Sequence, residues 1–257
     1  MKISIDESAL KKIKEFEELP IGKKKVRCPY HLNPKSQRAN LRVLAGKGTP
    51  EEIVLETEIY AKLGGLRIDK MHEDEIRSFM QKRHIGIDCS GFVVHILDAY
   101  TLDKEKKHLW KFIRKEVSNP YQKIRYMLRP VENIGVADLT SEINSIKLQR
   151  ITDIRPYDLI KTSALKQEEG LHVLMVTEVE KDSSGKTVSF KYTNSNRYYG
   201  EGNGIRFGTV IITDPISSLQ AQRWLDDNDE SGRNFVFDCI KKDFSKNGVY
   251  RLNFLNN

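Results

Sequence analysis

The chain has 257 residues, 39% of them hydrophobic and 31% charged, and 43 Lys and Arg against 36 Asp and Glu give a formal net charge of +7. This length suits one substantial domain with insertions or two small ones, and no apolar run approaches the ~18 residues that a transmembrane helix needs. Three widely spaced cysteines (Cys28, Cys89 and Cys239) without a CxxC pair argue against a disulfide framework or a structural zinc site, and six scattered histidines lack ligand spacing, so neither metal nor cofactor is expected.

The N-terminus, Met1-Lys2-Ile3-Ser4-Ile5-Asp6-Glu7, lacks an apolar signal core, which predicts a product cytoplasmic as synthesised, with any delivery to a cell wall by another route. A first helix is expected over Glu7–Glu17, with Leu10, Ile13 and Phe16 on one stripe. Leu19-Pro20-Ile21-Gly22 ends it. The short basic run Lys23-Lys24-Lys25 and a Pro-rich loop from Cys28 to Pro34 follow.

Thr49-Pro50-Glu51-Glu52 combines an N-cap, a proline at the first helical position and a capping-box glutamate. It opens a helix whose buried face is assigned to Ile53, Leu55, Ile59, Tyr60 and Leu63 and which Gly64-Gly65 stops. A short helix over Glu73–Lys82 leads into Ile85-Gly86-Ile87-Asp88-Cys89-Ser90-Gly91-Phe92-Val93-Val94-His95. Here a turn-prone stretch ends at Asp88 and Cys89, and an apolar periodic segment runs on to about Tyr100. The thiol is thus expected in the first turn of a helix capped by Asp88, where unpaired amides and the helix dipole favour a thiolate. Residues 101–150 are basic and helix-tolerant, broken at Pro120 and Pro130.

From Ile154 the pattern becomes strand-like: Asp158–Thr162, His172–Val179, Thr187–Asn194 and Ile205–Thr213, with Asp182-Ser183-Ser184-Gly185 as a hairpin turn. Ser217–Trp224 reads as a short helix. Asn234–Ile240 and Val249–Phe254 read as closing strands, with Cys239 packed in the first of them. Helices followed by strands imply an α+β fold with an antiparallel sheet.

A cysteine nucleophile needs a base and a group that orients the base. Of the six histidines, His95 lies on the wrong face of the Cys89 helix, His84 and His31 sit in loops, and His72 and His108 lie in charged segments. His172 opens an apolar strand, where a rigid backbone can hold its ring toward a cleft. A turn centred between Ser183 and Ser184 places His172 opposite Ser195, and a shift of about half a residue either way brings Asn194 or Asn196 opposite. Thr193-Asn194-Ser195-Asn196 therefore lies beside His172 in any of these registers, and an Asn carbonyl there would fix the imidazole tautomer.

Ile87-Asp88-Cys89-Ser90-Gly91-Phe92-Val93 resembles the nucleophile motif of the NlpC-type cysteine peptidases, papain-like hydrolases of bacterial cell walls. Arg155-Pro156-Tyr157-Asp158-Leu159-Ile160 is similar to the Arg-Pro-Gly-Asp-Leu segment of that family, with Tyr157 in place of Gly, and His172-Val173 is similar to its base-bearing strand. The resemblance covers about half of the chain. It implies a papain-like α+β domain spanning 1–257, its N-terminal helices and nucleophile helix packed on a C-terminal antiparallel sheet, with insertions at about 34–84 and 101–150. It also implies Cys89, His172 and Asn194 as the triad, with Asn196 as the alternative third member. Tyr30, Asp88 and Ser90 would contact the substrate, a peptide or peptidoglycan stem fragment. Two other readings stay open: an intracellular acyl-transferring, deamidating or deconjugating thiol enzyme on the same scaffold, and a non-catalytic basic binding protein. No nucleic-acid motif is visible.

Overall fold

Two apolar surfaces on one antiparallel sheet organise the molecule. The computed structural model describes residues 1–33, 42–115, 119–165, 170–229 and 231–256. Pro34, the beginning of the 34–84 insertion, and Glu168-Glu169 upstream of His172 therefore lie outside the described residues.

In chain order, strand β1 (Lys2–Ser4) precedes helix α1 (Glu7–Glu17) and the small hairpin β2 (Leu19–Ile21) and β3 (Lys24–Val26). Helices α2 (Pro50–Leu63), α3 (Glu73–Lys82), α4 (Cys89–Glu105), α5 (Pro120–Leu128) and α6 (Val136–Leu139) follow, and β4 (Ser145–Lys147) begins the strand-rich half. Strands β5 (Leu159–Ser163), β6 (Leu171–Lys181), β7 (Thr187–Asn196), β8 (Gly204–Ile211) and β9 (Arg223–Asp226) lead to α7 (Phe235–Lys242) and β10 (Gly248–Leu252). The eight-stranded sheet runs β4-β10-β5-β6-β7-β8-β9, with β1 added alongside β6. The fold is α+β, and no helix among the described residues is long and apolar enough to cross a membrane.

Alternation along the strands sends Leu159, Val173, Met175 and Ile205 to the face covered by α1 and α4, where they meet Ile13, Phe16, Phe92, Val93 and Ile96. Phe16 and Phe92 pack edge to face with centroids 5.5 Å apart. Ile160, Leu174, Val176, Phe190, Tyr192 and Val210 point the other way and pack with Val236 and Ile240 of α7. The capping box of α2 forms as its sequence requires: Glu52 N donates to Thr49 Oγ1 and Thr49 N to the Glu52 carboxylate.

Four local expectations are corrected. Leu55, Ile59 and Leu63 are exposed, and Ile53, Thr57 and Ala61 face inward on α2. Both stripes have helical period, and the inner one uses smaller side chains. Leu10 of α1 is likewise exposed while Ala9 is buried. Asn234–Ile240 is not a strand: Asn234 Oδ1 accepts from Phe237 N at 2.8 Å and starts α7, which buries Val236, Cys239 and Ile240 at helical spacing. Ser217–Trp224 is not a helix, because the Gln222 side chain takes up the loop's backbone groups. Its Oε1 accepts from Thr213 N and Asp214 N, and its Nε2 donates to the carbonyls of Asp214, Ser217 and Ser218. Only a 3-10 turn at Leu219–Ala221 remains before β9. The end of the basic 101–150 stretch supplies α6 and the sheet-edge strand β4.

Candidate active site

Ile87, two residues before the thiol, is held on several sides. Its amide donates to Pro29 O and its carbonyl accepts from His31 N and from Ser195 Oγ, the last at 2.8 Å. Tyr30 pairs with Ile87 as a parallel bridge and Lys47 as an antiparallel one. Asp88 N donates to Gly46 O, and a Cβ on Gly91 would come within 2.5 Å of that same oxygen, so the helix start needs glycine there. Asp88 caps α4 through Gly91 N, as its position in the sequence suggests.

The same carboxylate oxygen accepts from Lys47 Nζ at 3.0 Å and from Ser90 Oγ at 3.0 Å, and Lys47 also donates to Ser90 Oγ and Ile134 O. Asp88 and Ser90 therefore face inward, engaged with a buried lysine rather than turned to a ligand. Lys47 had no sequence signal: between two glycines it reads as a solvent-facing turn.

The sheet divides at the thiol. Strand β6 begins at Leu171 and β7 ends at Asn196, yet their pairing stops at Met175 opposite Thr193. The start of α4 meets both strands here: Ser195 of β7 bonds to Ile87 O, and Cys89 is buried in the same cluster as Val173 of β6. A bulge between Val176 and Glu178 sets the local register one residue from the Ser195-opposite pairing. That shift puts Asn194 and Asn196 on the His172 face of the sheet and Ser195 on the Cys89 side.

His172 Nε2 and Asn194 Oδ1 lie 3.3 Å apart, the contact that an Nε2–H donor makes to an amide oxygen and that leaves Nδ1 unprotonated. Asn196 Oδ1 instead accepts from Tyr198 N at 2.9 Å and shapes the turn. A small cleft lined by Tyr30, Ala164, Leu171, His172, Asn196, Arg197 and Tyr198 opens on the imidazole, and Cys89 is not among its described lining residues. Tyr30 thus reaches the site, with its amide donating to Asn203 Oδ1.

Burial sets the protonation states. The thiol is pushed up to about 12, first by loss of water and then by the Asp88 charge, against the help of the Val173 amide and Lys47. The thiolate expected from the helix N-terminus is therefore not the resting form; desolvation outweighs the dipole. His172 is pushed down to about 4 by burial, opposed by its bond to Asn194 and by Asp88. The resting pair is neutral on both sides.

An unfolded histidine gains its proton near 6.5 while His172 resists to about 4, so stability is lost as pH falls through that window. At 1.36 kcal/mol per unit, His172 alone contributes roughly 3 kcal/mol of this loss. The half-buried His31 and the buried His95, also lowered by loss of water, act in the same direction. Urea unfolding at pH 7 and pH 4 is expected to show a smaller loss for His172→Gln than for the wild type; an equal loss would assign the acid sensitivity elsewhere.

Asp158 accepts from Arg251 Nε at 2.8 Å and Nη2 at 2.6 Å and from Arg155 N at 2.8 Å, joining β5 to β10. Tyr157 takes φ +72°, the left-handed conformation that glycine adopts freely. Its hydroxyl donates to the Asp6 carboxylate and accepts from Asp6 N, both at 2.8 Å, and its ring packs on Tyr100.

Among the described residues no cluster of three or more His, Cys, Asp or Glu could hold a metal ion. Comparison of the chain with protein-family models, with curated proteins and with solved structures found no match.

Proposed function

We propose that the chain is a papain-like cysteine hydrolase, similar in its site to the NlpC-type peptidases, acting on amide bonds in peptides such as peptidoglycan stems. The observation that carries this reading is the meeting of three distant segments at one break in the sheet. Ser195 ties β7 to Ile87 just ahead of Cys89, His172 Nε2 meets Asn194 of the same strand, and Cys89 and Val173 share one buried cluster. The left-handed Tyr157 supports it too, because it stands where the resembled motif has glycine.

In the mechanism, the Cys89 sulfur attacks a carbonyl carbon as His172 Nδ1 takes the thiol proton. Because thiol and imidazole are neutral at rest, the proton moves as the C–S bond forms. The oxyanion is held by the Cys89 amide, a first-turn N–H without an intrahelical acceptor; one such donor is typically worth ~10²–10³ in rate. Collapse breaks the C–N bond, the leaving amine takes the proton from the imidazolium, and a thioester remains on Cys89. Water, deprotonated by His172, then attacks the thioester and releases the acid and the thiol. Asn194 keeps the imidazole in the tautomer this sequence needs.

The test incubates the full chain with purified cross-linked muropeptides and, separately, with a panel of peptide amides, esters and thioesters, reading products and intact-protein mass. Muropeptide cleavage with an acyl adduct mapped to Cys89 is the expected result. Turnover restricted to the panel would overturn the wall substrate and move the assignment to another acyl transfer. Neither turnover nor adduct would overturn the hydrolase and leave a binding protein on this scaffold.

A further inference from the structure

Asp227 lies 33 residues beyond Asn194 and just past β9, in a segment with no sequence signal for the site. Its side chain is fully buried, 0 % exposed, and its backbone is left-handed at φ +52°, a conformation that Asp and Asn tolerate better than most residues. Arg206 Nε pairs with the carboxylate, the Tyr192 hydroxyl donates to it at 3.3 Å, and the Tyr199 hydroxyl donates to the Asp227 carbonyl at 2.7 Å. Arg206 is the register partner of Asn194 across β7 and β8, and its guanidinium lies 3.6 Å over the Tyr199 ring. A buried carboxylate is thus pinned from several directions.

The Asn194 amide is equally enclosed. Its Nδ2 is sealed from solvent and makes no hydrogen bond of good geometry among the described residues. Asp227 is the carboxylate brought to it: Arg206, across the sheet from Asn194, pairs with Asp227, and Tyr192, two residues back on the same face, donates to it. The two ends of an asparagine amide have the same shape and opposite chemistry. Beside an imidazole alone, Oδ1 can accept from Nε2–H, or Nδ2 can donate to a bare Nε2. Those two arrangements select opposite tautomers of the ring. A carboxylate only accepts, so it draws Nδ2 and repels Oδ1.

We propose that Asp227 is a positioning residue that fixes the Asn194 amide and, through it, the proton on Nε2 of His172, leaving the Nδ1 lone pair for the thiol. The role rests on the reading of Cys89 and His172 as nucleophile and base. Its physical signature does not, because the tautomer of His172 is measurable without any substrate.

The experiment uses the full chain with ¹⁵N-labelled histidine at pH 7 and reads the two ring nitrogen shifts of His172. The wild type is expected to hold the Nε2–H form. Asp227→Asn is nearly isosteric, suits the left-handed backbone and removes the acceptor-only character. It is expected to shift the tautomer ratio about tenfold toward Nδ1–H, because asparagine at 227 can meet either end of the Asn194 amide and no longer repels Oδ1. The exchange variant Asp227→Asn with Asn194→Asp is expected to restore Nε2–H, since a carboxylate at 194 accepts from the ring whichever oxygen faces it. A general loosening of the site would not be rescued this way.

If Asp227→Asn fails to fold, the wild type carries the test, since the proposal requires Nε2–H in it and Nδ1–H there overturns the proposal. An unchanged tautomer in folded Asp227→Asn also overturns it, whether or not the chain hydrolyses anything. Absence of an acyl adduct on wild-type Cys89, with the tautomer shift intact, instead removes the hydrolase reading alone.

Discussion

Cys89→Ser is expected to abolish hydrolysis, lowering kcat by on the order of 10⁴–10⁶, the range seen when a nucleophile or its base is removed from such a unit. The serine hydroxyl is a far weaker acid than the thiol, and a buried imidazole already pushed down to about 4 is a poor base for it. His172→Ala should produce a loss of similar size, and the double variant little more, because the two groups perform one proton transfer. Stability should change little. Cys89 is 6% exposed and serine is close to it in shape, so the cost is about 1 kcal/mol or less. Activity against whichever substrate the muropeptide and amide panel identifies, with urea midpoints on the same preparations, checks both halves. Full activity in Cys89→Ser would end the nucleophile assignment.

Lys47→Met is expected to have the largest effect on folding. Lys47 Nζ is shared among Asp88 Oδ1, Ser90 Oγ and Ile134 O at a site where lysine and aspartate side chains are 7% and 6% exposed. Removing one partner of such a pair leaves a buried charge uncompensated and typically costs about 3–5 kcal/mol, a large part of the stability of an ordinary domain. Asp88→Asn added to Lys47→Met removes the stranded charge, and asparagine still caps the helix. The double variant should therefore be more stable than Lys47→Met alone. Denaturant midpoints decide it, and a Lys47→Met protein within about 0.5 kcal/mol of wild type would show the pair to be dispensable.

What could be read from the sequence was the part written locally. Asp88 followed by an apolar periodic run announces a capped helix, and Cys89 is its first residue. The Asp182–Gly185 turn fixes the β6–β7 hairpin, and with it the neighbourhood of His172 and Asn194. The choice between Asn194 and Asn196 was not legible, because it depends on a bulge at Thr177 that no turn residue marks. Lys47 and Asp227 were missed for another reason: each reaches the site from a distant segment, and its meaning depends on burial that only tertiary packing creates. The segment Phe235-Val236-Phe237-Asp238-Cys239-Ile240 reads as strand in sequence because its side chains favour β structure, yet the cap at Asn234 and packing make it a helix. The protonation of Cys89 was misjudged for the same kind of reason. A helix terminus is visible in one dimension, whereas desolvation is not.

Through its single hydroxyl, Ser195 makes the strand of Asn194 and the threshold of α4 one mechanical frame. Strand β6 leaves β7 after Met175 and carries His172 out on its own, anchored laterally to β5. Widening of the crevice by a bulky acyl group would therefore swing the imidazole away while sulfur and amide keep their mutual spacing. The link that crosses the division is the 3.3 Å contact between ring and asparagine, so such a load would fall on the residue proposed as base rather than on the one proposed as nucleophile.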